Sequence, residues 1–246
     1  MNILKGKVIV VTGGSGLLGK ELIESLIQVE AIPINFEIGV DTCLDRNVIF
    51  CDVTDPSTLE NAISIVLKKF GRIDGWVNNA YPRTADWANK FEDVTLDSWH
   101  KNVDYQLNSV FSCCKLVLEV MNKQGFGSIV NMSSIYGVLG PDFSVYANTE
   151  MTMPAAYSAI KGGIVNFTRY LASYYGSRGI RINCVSPGGI FNNQNEEFVN
   201  NYSAKVPMGR MGLPKDIAPS IIFLLSDDAS YITGHNLMVD GGWSCV

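Results

Sequence analysis

The chain has 246 residues, 47% of them hydrophobic, with 19 Lys and Arg against 24 Asp and Glu and a formal net charge of −5. That apolar content excludes a disordered chain, and the acidic balance without a Lys/Arg block argues against nucleic acid or an anionic membrane surface as partner. No apolar run approaches the ~18 residues of a membrane span, and a strand-like run begins almost at once without a secretory signal, so a cytoplasmic protein that binds a small molecule is expected.

Strand-like and helix-like segments alternate along the chain. "KVIVVTG" (7–13) is a continuous apolar run ending in Gly, the pattern of a strand buried on both faces. Leu18, Leu22 and Leu26 follow at helical spacing. "IPINFE" (32–37) reads as a second strand, weakened by Pro33, and "NVIFCDV" (47–53) as a third. Asp55-Pro56 opens a helix whose Leu59, Ile63, Val66 and Phe70 share a face. "DGWVNNA" (74–80) is a fourth strand, and one long helix is expected over about 96–122. "GSIVNMSS" (127–134) is a fifth strand, and Pro154 opens the helix that carries "AAYSAIKGG" (155–163). "IRINCVSPGG" (180–189) is a sixth strand, "PKDIAPSIIFLLS" a late helix and "HNLMVDGG" a last strand. No repeat or linker divides the chain, so one α/β domain over 1–246 is expected, a doubly wound parallel sheet with helices on both faces. Ligands of such sheets bind beyond the carboxyl ends of the strands.

"TGGSGLLG" (12–19) joins the first strand to the first helix. Glycines there allow a tight turn and let a diphosphate approach the helix amino end. Gly13, Ser15, Gly16, Leu17 and Leu18 are therefore expected to meet a dinucleotide. Glu37 closes the second strand, where an acidic side chain accepts hydrogen bonds from the ribose hydroxyls and repels the extra phosphate of NADP, so NAD is favoured over NADP. Tyr157 and Lys161 lie one helical turn apart. A nearby ammonium favours a phenolate, which would poise Tyr157 for proton transfer; Ser134, at the end of the preceding strand, could hold the substrate oxygen. By spacing alone, a core Tyr beside a snorkelling Lys is the better explanation of the pair, since Y-x-x-x-K is common by chance.

Taken together, "TGGSGLLG", "CDVTD", "NNAY", "VNMSS", "YSAIK", "INCVSPGG" and "MVDGG" resemble the short-chain dehydrogenase/reductase family, in its order and over essentially the whole chain. The resemblance implies a Rossmann-like domain, a nicotinamide cofactor, a homo-oligomer (dimer or tetramer), and Ser134, Tyr157 and Lys161 as catalytic residues, Lys161 also holding the nicotinamide ribose. It implies adenine contacts at Asp52 and Val53, and a cofactor-lining segment over 78–80 with Asn79 and Ala80. Pro187, Gly188 and Ile190 would close over the nicotinamide amide.

The departures bear on function. Leu17 stands where the family's middle Gly falls, and Gly16 gives a spacing similar to the larger epimerase-like branch. "NNAG" becomes "NNAY", which puts Tyr81 near the active site. Gln106 replaces the helix Asn that anchors a water in the family's proton relay. The P-G-x-x-x-T segment ends in Asn192. Ser134 and Tyr157 lie further apart than is usual, and the extra stretch "PDFSVYANTEMTM" (141–153) is expected to border the substrate. Tyr136 and Tyr146 have no Lys four residues on and are either pocket-lining or exposed loop aromatics. Neither His100 nor His235 has a metal partner, the six cysteines show no metal spacing, and no metal site is expected.

The reading is an oxidoreductase moving a hydride between a nicotinamide and a hydroxyl or carbonyl carbon. A nucleotide-binding sensor without catalysis, and an epimerase or dehydratase using NAD transiently, are the alternatives. The amide-rich segment "FNNQNEEFVNNYSAK" (191–205) suits a polar, sugar-like substrate, nucleotide-activated or acidic, with Tyr81 as a stacking face, Arg83 to fork an anion, and Tyr136 and Asn192 lining the pocket; the alternative is a solvated surface helix, with Arg83 in a structural salt bridge. "NNAYPR" resembles a subgroup encoded with flagellin or surface-polysaccharide glycosylation genes.

Overall fold

Val8–Thr12 (β1) is buried along its whole length. Successive side chains of a strand point to opposite faces, so five buried residues in a row need cover on both sides. In the computed structural model, which describes residues 3–246, that cover is two layers of helices. The first two residues of the expected 1–246 domain lie outside the described residues.

Six further strands flank β1: Ile32–Glu37 (β2), Val48–Phe50 (β3), Gly75–Asn78 (β4), Gly127–Met132 (β5), Ile180–Pro187 (β6) and Asn236–Val239 (β7). They form one parallel sheet in the order β3-β2-β1-β4-β5-β6-β7. Pro33 is tolerated within β2 because β3 begins its pairing only at Asn35, so the missing N–H faces no partner strand. Pro56–Phe70 (α2), Ser109–Gln124 (α4) and Ala155–Tyr175 (α5) pack on the face that carries Val8, Val10, Phe36 and Trp76. Leu17–Gln28 (α1) and Pro214–Leu225 (α7) pack on the other, against Ile9, Val11, Val77 and Val185. Strand order reverses between β1 and β4, and the crevice outside their carboxyl ends is where such sheets bind ligands.

Two elements differ from expectation. The helix expected over 96–122 is Leu96–Val103 (α3) and α4 joined through a single π turn, Asp104–Asn108, with Gln106 at its centre. Within 191–205 a further helix, Glu196–Lys205 (α6), starts on Asn195, whose side chain accepts from the N–H of Glu197 at 2.9 Å. Periodicity misses α6 because only Phe198 and Tyr202 of its ten residues are buried. Among the described residues no helix is long and apolar enough to cross a membrane, and no cluster of His, Cys, Asp and Glu could hold a metal ion.

Candidate active site

The crevice starts at Gly13, whose φ of +66° suits glycine and whose place would put a Cβ 3.0 Å from Ala80 Cα. Thr12 Oγ1 accepts from the N–H groups of Asn79 and Ala80, both at 3.0 Å. Asn79 Nδ2 donates to the carbonyls of Thr12 and Gly13 at 3.0 Å. Asn79 thus braces the glycine turn, whereas Asn78 turns inward to Trp76, Cys114 and Asn131 and does not line the crevice. A Cβ on Gly19 would lie 2.3 Å from the carbonyl oxygen of Gly13, so helix and turn meet closely there. Gly16 caps α1 without a side-chain bond, which leaves first-turn N–H groups for an anion. Leu17 is the first residue of α1, half-exposed and in ordinary helical backbone, so no glycine is needed at that position; Leu18 packs against the apolar layer of α1 and α7.

Two side chains of β2 hold this turn. Glu37 Oε2 accepts from Ser15 N–H at 2.8 Å, and Asn35 Oδ1 from Gly14 N–H at 2.9 Å. The sequence reading missed Asn35; a polar residue inside an otherwise apolar strand was its signal. Beyond β3, Asp52 Oδ1 accepts from the N–H and hydroxyl of Thr54 at 2.9 and 2.7 Å, and Val53 is buried. A turn that admits no Cβ, an open helix amino end and a carboxylate at the end of β2 fit a dinucleotide.

Across the crevice, β5 ends in two serines with different tasks. Ser133 Oγ donates to the carbonyl of Lys161 at 2.9 Å and so ties α5 to β5. Ser134 Oγ accepts from Tyr136 N–H at 3.2 Å, which leaves its own O–H to donate towards Tyr157 or a ligand. Tyr157 and Lys161 do lie together: Lys161 Nζ donates to the carbonyl of Met132 at 2.9 Å and stands 5.5 Å from the Tyr157 ring centre. The electrostatics correct one expectation. Burial raises the Tyr157 pKa above its ordinary value and outweighs the Ser134 hydrogen bond that lowers it. Burial also brings Lys161 down to about 8. Desolvation of each charged form, and not attraction between the pair, sets both groups. Gln106, in the π turn, is 3% exposed, and neither amide atom is bonded to another group of the protein.

The loop after β4 adds an aromatic wall. Tyr81 meets the Tyr157 ring edge to face, centroids 5.9 Å apart, and Trp87 lies 5.8 Å from Tyr81 and 6.2 Å from Tyr157. Asn102 Oδ1 accepts from Thr84 N–H at 3.1 Å and Ser98 Oγ donates to Asp86 at 2.9 Å, so α3 pins this loop. Trp87 was not singled out from the sequence, since one Trp in a loop has no periodicity to flag it.

The extra stretch 141–153 packs on α6. Asn201 Nδ2 donates to the carbonyls of Val145 and Ala147 at 3.4 and 3.2 Å, Lys205 pairs with Asp142 at 2.9 Å, and Tyr146 stacks on Phe198. Three of the six amides of 191–205, Gln194, Asn195 and Asn201, are therefore committed within the protein. Gln194 holds both Ile190 O and Asn192 N–H at 2.7 Å, Asn195 caps α6 and Asn201 clamps the extra stretch. Asn192 itself is exposed. What lines the inner side is aromatic: Tyr136, Tyr146, Phe198, Tyr202 and Trp243 cluster with Tyr157. Tyr136 is buried, with its hydroxyl facing that of Tyr146, which sets aside its reading as an exposed loop residue. At the end of β6, Gly188 N–H donates to Val239 at 3.0 Å and Gly189 N–H to Tyr202 Oη at 2.6 Å, which fixes the segment Pro187–Ile190.

Fold and site define a nucleotide-dependent α/β oxidoreductase. A family model described as enoyl-(acyl carrier protein) reductase matches residues 39–244. The post-translational flagellin modification protein A of Campylobacter coli is 32% identical over 98% of this chain and 99% of its own. A 3-oxoacyl-(acyl-carrier-protein) reductase of Salmonella typhimurium is 33% identical over the same shares. The crystal structure of a short-chain dehydrogenase from Leptospira borgpetersenii with bound NAD+ superposes with a TM-score of 0.89 at 35% identity, covering 99% of this chain and 94% of that one. The chain belongs to the short-chain dehydrogenase/reductase family, whose members are NAD(P)-dependent oxidoreductases acting on CH–OH and C=O groups.

Proposed function

We propose that this chain is an NAD-dependent oxidoreductase for a polar, sugar-like substrate, with Ser134, Tyr157 and Lys161 as its catalytic residues. The observation that carries the reading is the meeting of these three side chains opposite a glycine turn that has no room for a Cβ at Gly14 and a positive φ at Gly13. The turn of Gly13, Ser15 and Gly16 with the first N–H groups of α1, at Leu17 and Leu18, would hold the diphosphate, Glu37 the adenosine ribose, and Asp52 and Val53 the adenine. Asn79, Ala80, Lys161, Pro187, Gly188 and Ile190 would hold the nicotinamide half. A bound nicotinamide supplies or accepts the hydride.

The proton is the protein's task. In reduction the Tyr157 O–H breaks to give its proton to the substrate oxygen while the Ser134 O–H donates a hydrogen bond to that oxygen. In oxidation the phenolate takes the hydroxyl proton back. Lys161 stabilises the phenolate and Gln106 orders the polar surroundings behind the pair. The carboxylate of Glu37 favours NAD, as does a relative described with NAD+ bound.

Three of the amides of 191–205 are used within the protein and give a sugar less support than composition suggests. Further support comes from the ring faces of Tyr81 and Trp87, the Arg83 guanidinium 5.2 Å from the Tyr81 ring, and a relative named for flagellin modification. Leu17 sits in ordinary helix, so the glycine spacing lends the epimerase alternative no support, and relatives named as reductases weigh against the sensor alternative. We place the protein in the cytoplasm, its six free thiols reduced. We also infer a homo-oligomer, with small-molecule substrates as its other partners. The test is a screen of purified protein with NAD or NADH against acidic sugars, nucleotide sugars, steroids and acyl thioesters. Turnover of a steroid or thioester, with none of any sugar, rejects the substrate class.

A further inference from the structure

Lys161 is 7% exposed, and among the described residues no carboxylate pairs with it. A buried ammonium in that position requires compensation from elsewhere. Its one direct acceptor is the carbonyl of Met132. The groups facing it are Tyr157 on its own helix, Cys184 from β6, and Tyr81, with Arg83 beside it, from the loop after β4. Burial pushes the Cys184 thiol up to about 12 and holds Tyr81 well above the ordinary phenol value, so both are neutral. What remains is the electron-rich ring. Lys161 Nζ stands 5.6 Å from the centre of the Tyr81 ring and 5.5 Å from that of Tyr157. Both separations lie within the ~6 Å at which a cation is drawn to an aromatic ring, an attraction that grows when water is excluded.

We propose that Tyr81 is a positioning residue, whose ring together with that of Tyr157 holds the buried Lys161 ammonium charged and in place. The 81–87 loop is built for this. Thr84 and Asp86 are bound to Asn102 and Ser98 of α3, and Trp87 abuts both tyrosine rings edge-on. The ring does the work and not the hydroxyl, because a neutral phenol oxygen adds little field at that range. The significance for catalysis rests on the proposed role of Lys161; the interaction itself does not.

The experiment is a pH titration of protein labelled with 13C at lysine Cε, followed by NMR without substrate or cofactor. The Lys161 resonance is the one missing from Lys161→Met. Tyr81→Phe keeps the ring and should leave the Lys161 midpoint where it stands in the wild type. Tyr81→Leu removes the ring and should lower it by roughly half a unit to one and a half units. Tyr81→Trp offers a stronger ring and should hold or raise it, a readout that does not depend on the leucine variant folding well. An unchanged midpoint in Tyr81→Leu, a fall in Tyr81→Phe as large as in Tyr81→Leu, or a fall in Tyr81→Trp overturns the proposal. Turnover plays no part in the titration, so this result is separate from the test of Tyr157 as proton donor.

Discussion

The backbone N–H of Ser15 donates to Glu37 Oε2 at 2.8 Å, so the carboxylate that closes β2 already touches the glycine turn. Its other oxygen accepts from Ile38 N–H at 3.1 Å, which fixes the carboxylate at the mouth of the crevice. A phosphate on the adenosine ribose would meet this negative charge, whereas two ribose hydroxyls would donate to it. NAD should therefore bind better than NADP, and Glu37→Ser should narrow the gap from the NADP side. Dissociation constants from fluorescence titration with NADH and NADPH check this. Equal wild-type affinities would sink the assignment of Glu37.

Tyr157→Phe deletes one oxygen and keeps the ring that packs on Tyr81 and Trp87. Turnover should fall by about 10²–10⁴, the contribution of a positioned acid–base group, with NADH binding unchanged. Burial raises the Tyr157 pKa, so the phenolate needed for oxidation forms late. Oxidation should accordingly rise with pH on the alkaline side of neutrality, and reduction, which needs the phenol, should be full there and fade as the pH climbs through the Tyr157 value. Lys161→Met should be as severe, since it removes the proposed contact to the nicotinamide ribose together with the amine beside Tyr157. Most of the activity surviving in Tyr157→Phe would show that another group moves the proton.

Much of this arrangement was legible in the sequence, for physical reasons that also mark the limit. The central strand β1 carries a continuous apolar run because both its faces are covered, and Gly13, Asp55-Pro56 and Pro154 mark the observed end of β1 and the starts of α2 and α5. Ser134, Tyr157 and Lys161 are singled out by the family resemblance and not by their spacing, and the fold brings them together. The amides of 191–205 are legible only in part: composition says which groups are present, not that Val145, Ala147 and Ile190 already use those of Asn201 and Gln194. The sign of the Tyr157 shift was missed for a related reason, since spacing brings Lys161 close but burial is a property of the folded surroundings.

Gln106 offers a case in which stability and activity should part. An unpartnered buried amide costs about 1–3 kcal/mol, and both polar atoms of Gln106 are buried and unbonded. Gln106→Leu removes that cost and should raise the melting temperature by a few degrees, at roughly 2–4 °C per kcal/mol for a chain of this size. Should the amide serve the proton path, the same variant will lose turnover, and Gln106→Asn will keep most of it. Thermal unfolding and kcat measured side by side give the answer. A leucine variant with full turnover removes Gln106 from the relay.

On the outer side of α4 and α5, Phe111, Phe167, Tyr170 and Tyr174 form a line of rings with centroids 6.0, 6.4 and 6.1 Å apart. Phe111, Tyr170 and Tyr174 are 52%, 62% and 52% exposed, so the line leaves ring surface open to water on one face. A second copy packed here would bury it. The double variant Phe111→Glu, Tyr170→Glu should then elute as a smaller species than the wild type in size-exclusion chromatography with light scattering, with its circular dichroism unchanged. A wild type that is monomeric at micromolar concentration would remove the inferred oligomer.

Arg83 is the charged group best placed to read the substrate. Its guanidinium lies 5.2 Å from the Tyr81 ring centre, and Tyr81 in turn packs on Tyr157. Among the described residues it makes no ion pair, so the alternative of a structural salt bridge finds no partner. A guanidinium fork binds carboxylate or phosphate through two parallel hydrogen bonds, and a hydrogen bond to a charged group contributes about 1.5–3 kcal/mol. The site is partly open to water, which favours the lower end of that range. Arg83→Ala should therefore raise KM for an acidic or nucleotide-activated sugar about tenfold, change kcat little and leave a neutral sugar alcohol unaffected. Arg83→Lys should recover only part of the loss, because an ammonium cannot form the fork. Equal effects on charged and neutral substrates would mean that Arg83 shapes the loop and does not bind the anion.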